Sequence, residues 1–375
     1  MPCAPRIESD EVGYHAGMLG KAVKPGNVRR HLRALARIGT ETALKAMVVE
    51  GIGSKRLGVA KGAKLKSPEK RARELASAGI IPAMEGVSKP IERMSIAAEE
   101  LGKLGNKGLR AIAEHGFPVE TGIWTNVKNR NLARNSIAVL SVMSLKNPKA
   151  AEVLAKRGMR YPYPEIAKEA IARLAVAKEN GLLIEHGLTH ERDDVQREAM
   201  DWLVFNLRRG HISKKDMRKL GWYITEGSPE HAMNAINVLM YSASRNATKP
   251  LIKYGLKSGN ATHIIASATA LGWTKDERAV KPLVKYGLKS DSYNVAKAAV
   301  HGLHDIKSRR AISALIRHGL KHSEPSIVEA TAKALAEIGD RRALPHLMAY
   351  ADHPNKNVRE EVKKAIRKIR GAKHA

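Results

Sequence analysis

Cysteine occurs once in this 375-residue chain, at Cys3. A single thiol excludes an intramolecular disulfide and a cysteine-ligated metal site. Aromatic residues are scarce, with two Phe and four Trp, so Ala, Leu and Ile must fill the core. Long apolar runs are missing as well. Residues 1–10 hold none of signal-peptide length, and no later stretch reaches the roughly 20 apolar residues that span a bilayer. The expectation is a cytoplasmic protein with no membrane partner.

Acidic residues are the other shortage. Thirty-seven Asp+Glu face 66 Lys+Arg, a formal net charge of +29. The excess is +10 over 1–130, +6 over 131–250 and +13 over 251–375 (23 minus 13, 19 minus 13, 24 minus 11). It is therefore not confined to a tail, and the folded body itself should be positive. Such a body favours a polyanionic partner. A surface charged for solubility or heat tolerance would carry more balanced signs.

What the chain does contain is a repeat. Lys249-Pro250-Leu251-Ile252-Lys253-Tyr254-Gly255-Leu256-Lys257-Ser258 recurs as Lys281-Pro282-Leu283-Val284-Lys285-Tyr286-Gly287-Leu288-Lys289-Ser290. A looser copy is Leu315-Ile316-Arg317-His318-Gly319-Leu320-Lys321, and a degraded one starts at Leu347. A fixed period of this length is the signature of a solenoid.

The kernel, apolar-x-x-x-Gly-apolar, reads as a helix terminator. With Gly287 in the left-handed conformation, Leu283 and Leu288 would close a Schellman stop. The same kernel appears with Gly51, Gly79, Gly116, Gly158, Gly187, Gly221, Gly255 and Gly319. The apolar anchors, Met47 through Leu347, are spaced 28, 37, 42, 29, 34, 34, 32, 32 and 32 residues apart. The expected organisation is an irregular arm over 1–24, then a solenoid over 25–375. Its repeats are drifted over 25–150 and regular over 151–375, and each is a pair of helices. Val28, Leu32, Leu35 and Ile38 should face a partner helix, and Leu271, Leu303 and Leu335 should align as buried positions. Asp291, Ser323 and Asn355 are the expected N-caps of first helices.

The openings Asn27-Val28-Arg29, Asp193-Asp194-Val195-Gln196-Arg197 and Asn355-Lys356-Asn357-Val358-Arg359 resemble the HEAT-repeat family. The link Ala336-Glu337-Ile338-Gly339-Asp340-Arg341-Arg342-Ala343-Leu344 resembles its phycobilisome-lyase type. The resemblance covers most of 25–370. It implies an all-α, right-handed, armadillo-type α-solenoid of about ten helix pairs. It implies little about function, because that family is mainly a set of scaffolds.

Binding residues are sought among repeated cations. Lys156, Lys219, Lys253, Lys285 and Arg317 stand two after their anchors; Arg160, Lys257, Lys289 and Lys321 stand six after. A helix dipole favours cations there, by roughly 0.3–1 kcal/mol each. Yet Glu114 and Glu185 occupy the first column in earlier repeats, so the dipole does not dictate the choice. Between the columns stand His115, His186, Tyr254, Tyr286, His318 and Tyr350. Rings flanked by cations suit stacking on bases; they equally suit covering a helix end. Residues 53–66 add five cations, Lys55, Arg56, Lys61, Lys64 and Lys66, with no acid and three glycines. They read as a flexible basic loop, and not a P-loop, since Val59-Ala60 follows Gly58. A weaker stretch of the same kind, 118–131, carries Trp124, a candidate for stacking or for plugging a gap between repeats. Arg208 and Arg209 begin a basic link between two helices.

Two enzyme families share this fold class. Deoxyhypusine hydroxylases repeat His-Glu pairs on helices around iron; this chain has one such pair, His190-Glu191, in an expected loop. HEAT-like alkylpurine DNA glycosylases use Trp and Asp on a basic face; Asp201-Trp202, and Trp222 at an expected helix end, have no distinctive spacing. The expectation is a non-catalytic protein, without cofactor or metal. Its partner would be DNA or structured RNA, alone or in a ribonucleoprotein. An interaction scaffold for an acidic protein is the first alternative, and a HEAT-like alkylpurine DNA glycosylase the second.

Overall fold

The computed structural model describes residues 25–38, 41–52, 99–118, 123–145 and 147–371, with the single residues 16 and 97. The described residues are all-α: helices joined by turns, with no strand among them. The chain divides into two compact units, Met1–Trp202 and Leu203–Ala375. The division falls inside the helix Asp193–Arg208.

In the first unit, the helix Pro25–Ile38 pairs with Glu41–Ala46, which continues as a π-helical turn over Met47–Ile52. Val28, Leu32 and Leu35 are buried as their spacing predicts, and Ile38 is half-buried at the end. Later pairs are Ile123–Ser144 with Pro148–Val153, and Pro164–Val176 with Asn180–Leu182. Their second helices run on as π-helical turns, Leu154–Gly158 and Leu183–Gly187. First helices are tied to one another by ion pairs: Arg134 reaches Glu169 at 3.2 Å, and Arg130 reaches Glu165 at 3.5 Å.

In the second unit the first helices Pro229–Ser242, Ala261–Thr274, Tyr293–Ile306, Pro325–Ile338 and Lys356–Gly371 pack successively on one another. Second helices form the other layer, ending in the π-helical turns Leu251–Leu256, Leu283–Leu288 and Leu315–Gly319. Leu271, Leu303 and Leu335 are fully buried between the layers, as are the anchors Leu251, Leu283, Leu315 and Leu347. Burying each leucine contributes about 1.5–3 kcal/mol. These columns, not polar contacts, hold the layers together.

The terminator reading of the glycines does not survive. Gly51, Gly158, Gly187, Gly255, Gly287 and Gly319 lie inside the π-helical turns, Gly221 lies within the helix Lys214–Glu226, and none has positive φ. Gly116 sits at a helix end but at φ −82°; Gly79 lies outside the described residues. The hydrogen bond that a Schellman stop requires is nonetheless present in two repeats. Leu188 N–H donates to Leu183 O at 3.1 Å, and Leu320 N–H to Leu315 O at 3.0 Å. A widened π turn makes this i→i+5 bond without reversing φ.

The glycines are needed for packing instead. A Cβ at Gly287 would lie 2.6 Å from Ala299 Cβ, and one at Gly319 2.5 Å from Thr331 Oγ1. At Gly255 it would fall on Ser267 Oγ, at Gly187 2.5 Å from Ala199 Cβ, and at Gly158 2.8 Å from Ala170 Cβ. Each glycine lets the next first helix cross at backbone contact, opposite a small residue twelve positions on.

The left-handed caps belong to the other helix of each pair. Ala243 (φ 49°), Lys275 (φ 53°), Lys307 (φ 52°) and Gly339 (φ 77°) end successive first helices. Immediately after them Ser244, Asp276, Ser308 and Asp340 each accept a backbone N–H and so start the second helix. Of the expected first-helix caps, Asn355 holds, accepting from the N–H groups of Asn357 and Val358. Asp291 and Ser323 do not, because the helices start one residue later than those caps require: Ser292 and Glu324 occupy the cap positions, without side-chain bonds.

Candidate nucleic-acid interface

The C-terminal π-helical turns carry the candidate columns on rigid backbone. Lys253, Lys285 and Arg317 are exposed on successive turns, and Lys257, Lys289 and Lys321 are exposed just beyond them. The half-buried rings between them, Tyr254, Tyr286 and His318, bring the two columns together.

Lys253 Nζ donates to Tyr254 Oη at 3.0 Å and stands 4.6 Å from the ring centroid. Tyr286 is gripped from two repeats at once: Lys285 Nζ is 5.1 Å from its centroid, and Lys257 Nζ of the preceding repeat 5.5 Å. Partial burial pushes the Tyr286 hydroxyl up, but the Lys285 and Lys257 ammonium groups outweigh it and hold it below the usual phenol range. His318 lies below the ordinary imidazole value, first through burial and then through Lys289, Arg317 and Lys321. The six cations thus line successive turns as a ridge, and at Tyr286 the cation of one repeat reaches the ring of the next.

Carboxylates partner many other cations. Arg192 is bound by Asp194, Arg278 by Asp276, Arg342 by Asp340 and Arg134 by Glu169. Among the described residues, no ion pair within 4.0 Å joins a carboxylate to any of the six ridge cations. Three of the six, Lys253, Lys257 and Lys285, direct their charge at rings, which orient it without cancelling it.

The rings also pack within the protein. Tyr254 also lies flat on the preceding repeat, where a Cβ at Gly221 would meet its ring at 2.2 Å. Tyr350 stacks on His353, with centroids 5.9 Å apart, rather than on a cation.

Other candidates fall elsewhere. Lys156 and Arg160 are exposed on and beside the turn Leu154–Gly158 of the first unit. Arg208 donates to Tyr241 O at 2.7 Å, and Arg209 lies 5.0 Å over Phe205. Lys55, Arg56, Lys61, Lys64 and Lys66 lie outside the described residues. Trp124 is on the first turn of the helix Ile123–Ser144 and not in a loop. Trp222 is likewise mid-helix and 53% exposed, not at a helix end.

Two of the residues weighed for catalysis have local hydrogen-bond partners. Trp202 is fully buried and donates to Glu198 Oε1 at 3.0 Å. His190 is buried, and its Nδ1 accepts from Arg192 N–H at 3.1 Å. Among the described residues one grouping has metal-ligating donors in mutual reach: Glu41, Glu114 and His115, within 4.8 Å. Arg110 bonds Glu114 at 2.7 Å and holds its carboxyl below the usual range. Sequence reasoning missed this grouping because Glu41 arrives from a different helix pair.

A protein-family model described as HEAT repeats matches residues 282–367. No curated protein matches the chain. Among solved structures, human deoxyhypusine hydroxylase is similar at 17% identity, covering 81% of this chain and 98% of that one, with a TM-score of 0.23. Importin beta is similar at 12% identity, covering 97% and 53%, with a TM-score of 0.41. A structure concerned with tubulin recruitment by microtubule polymerases with TOG domain arrays is similar at 10% identity, covering 90% and 92%, with a TM-score of 0.31. The chain spans about half the length of the importin beta chain. At such identities and scores, nothing about function follows from any of the three.

Proposed function

From a chain built on HEAT repeats, we propose a non-catalytic nucleic-acid-binding protein that tracks phosphates along the ridge Lys253, Lys257, Lys285, Lys289, Arg317 and Lys321. The observation that carries this reading is the repetition itself: Lys253, Lys285 and Arg317, with Lys257, Lys289 and Lys321, are exposed on successive turns, and among the described residues none of the six is paired with a carboxylate. Lys253, Lys257 and Lys285, held over rings, are pre-positioned and have less side-chain entropy to lose on binding. Successive second helices repeat the same donors, which suits a ligand that repeats its charge. The ridge contacts phosphates and reads no bases, so binding is indifferent to sequence.

The test is binding of duplex DNA, duplex RNA and single strands to the wild type and to Lys253→Glu/Lys285→Glu/Arg317→Glu near physiological salt. The reading expects binding that the triple variant weakens for all sequences alike. Retention of nucleic-acid affinity by the triple variant would refute it. An acidic protein meets the same charge; loss of an acidic peptide's binding in the triple variant, with no nucleic acid bound by the wild type, would place the chain among interaction scaffolds.

A further inference from the structure

The second unit exposes two large rings that the ridge does not use. Tyr241 and Trp273 occupy the penultimate positions of the successive first helices Pro229–Ser242 and Ala261–Thr274. They are 46% and 41% exposed. Their centroids lie 5.9 Å apart at an interplanar angle of 62°, an edge-to-face contact that joins the two rings into one exposed aromatic surface. The next two repeats carry Asp305 and Glu337 in the same column, and the rings are therefore not a requirement of the fold.

Their surroundings are cationic. Arg208 reaches the carbonyl of Tyr241 at 2.7 Å, and Lys275 reaches the carbonyl of Asp305 in the next repeat. A carbonyl fixes a cation in place and leaves its charge uncancelled. Arg245, also exposed, stands on the turn that follows Tyr241. The rings sit at the turn where a first helix gives way to a second. The ridge sits at the far end of the second helix, from Thr248 to Leu256, a rise of roughly 12 Å at 1.5 Å per residue. The two surfaces are separate.

We propose that Tyr241 and Trp273 are a stacking platform for unpaired bases of a single-stranded nucleic acid, with Arg208, Arg245 and Lys275 meeting its phosphates. Flat exposed rings between uncancelled cations match a flat base joined to phosphate. Protein hot spots are rich in Tyr, Trp and Arg as well; what favours a strand here is the row of cations beside the rings. Among the described residues of this unit, the exposed large apolar side chains are Trp222, Tyr241, Trp273, Tyr293 and Met348, four of them aromatic.

The experiment uses the full chain and four probes: a short oligodeoxyadenylate, its abasic counterpart of equal charge, a duplex of the same length, and a poly-glutamate peptide. Tyr241→Ala/Trp273→Ala is expected to lower affinity for the base-bearing strand about tenfold, as the loss of one or two stacked bases would. Abasic and duplex affinities should not change, and Tyr241→Phe/Trp273→Phe should keep the wild-type values. Equal losses for abasic and base-bearing strands, or no loss, would overturn the platform. Loss of the peptide alone would overturn it in favour of an acidic protein partner. The ridge variant separates the two readings. Ring-dependent single-strand binding in a chain that ignores duplex sinks the ridge and keeps the platform; ridge-dependent duplex binding with no ring effect does the reverse.

Discussion

Gly287→Ala probes the packing rule on which the repeat rests. The new methyl would stand 2.6 Å from Ala299 Cβ, whereas carbons make comfortable contact at about 3.5–4.0 Å. The helix Tyr293–Ile306 must then retreat by about 1 Å, in a core that tolerates little. Overpacking of this kind costs about 1–3 kcal/mol, and the helix propensity of alanine returns about 1 kcal/mol. The net expectation is a loss of about 0–2 kcal/mol, from these two estimates. The decisive arm is the exchange Gly287→Ala/Ala299→Gly, which moves the methyl across the interface. The clash is then gone, and the two substitutions should couple by about 1–2 kcal/mol, as contacting residues do. Chemical-denaturation midpoints followed by helical circular dichroism give all three differences. Simple additivity of the single losses would refute the reasoning, because strain of a left-handed backbone would be indifferent to residue 299.

Three further expectations follow from the caps and the ridge. Lys307→Gly and Ala243→Gly should each stabilise the protein by about 0.5–1 kcal/mol, the left-handed penalty less the added freedom of the unfolded chain; a lower denaturation midpoint would count against the cap assignment. Asp276 has its carboxyl held at about 2, chiefly by the Arg278 guanidinium and further by Arg278 N–H and Thr248 Oγ1, against the opposing pull of burial. Its folded value is depressed, so its contribution of about 2 kcal/mol is present above pH ~4 and disappears as pH falls towards 2. Asp276→Asn should remove that part of the acid sensitivity, measured by denaturant midpoints across this range. His318 is held below its ordinary value by burial and by three ridge cations; phosphate binding should draw a proton onto it, so affinity rises on acidification below the ordinary imidazole range. His318→Gln should flatten that rise.

The layers were legible in the sequence because buried leucines repeat at a fixed period and nothing else need be known to see them. The glycine of the same kernel was visible yet misread, since a helix terminator and a close helix crossing both put glycine after an apolar anchor. The distinguishing signal lies twelve residues on, where Ala199, Ser267, Ala299 and Thr331 stay small. The true left-handed caps were hidden by Ala243, Lys275 and Lys307, which strain against the preference for glycine. Their partners Ser244, Asp276, Ser308 and Asp340 do repeat every 32 residues and could have revealed the helix start. Ridge cations were readable as columns. That Lys257 meets the ring of Tyr286 from the next repeat was not, because it depends on how far one second helix is offset from its neighbour.

Neutralisation of phosphates by the ridge is measured most directly by counterion release. Log K for a plain duplex should fall with log salt by about 0.9 for each phosphate neutralised. Six ridge contacts give a slope of roughly −5 on that estimate. Lys253→Glu/Lys285→Glu/Arg317→Glu should flatten it by about 3 or more, with the affinity at low salt falling in parallel. A slope that the triple variant leaves unchanged would contradict the account.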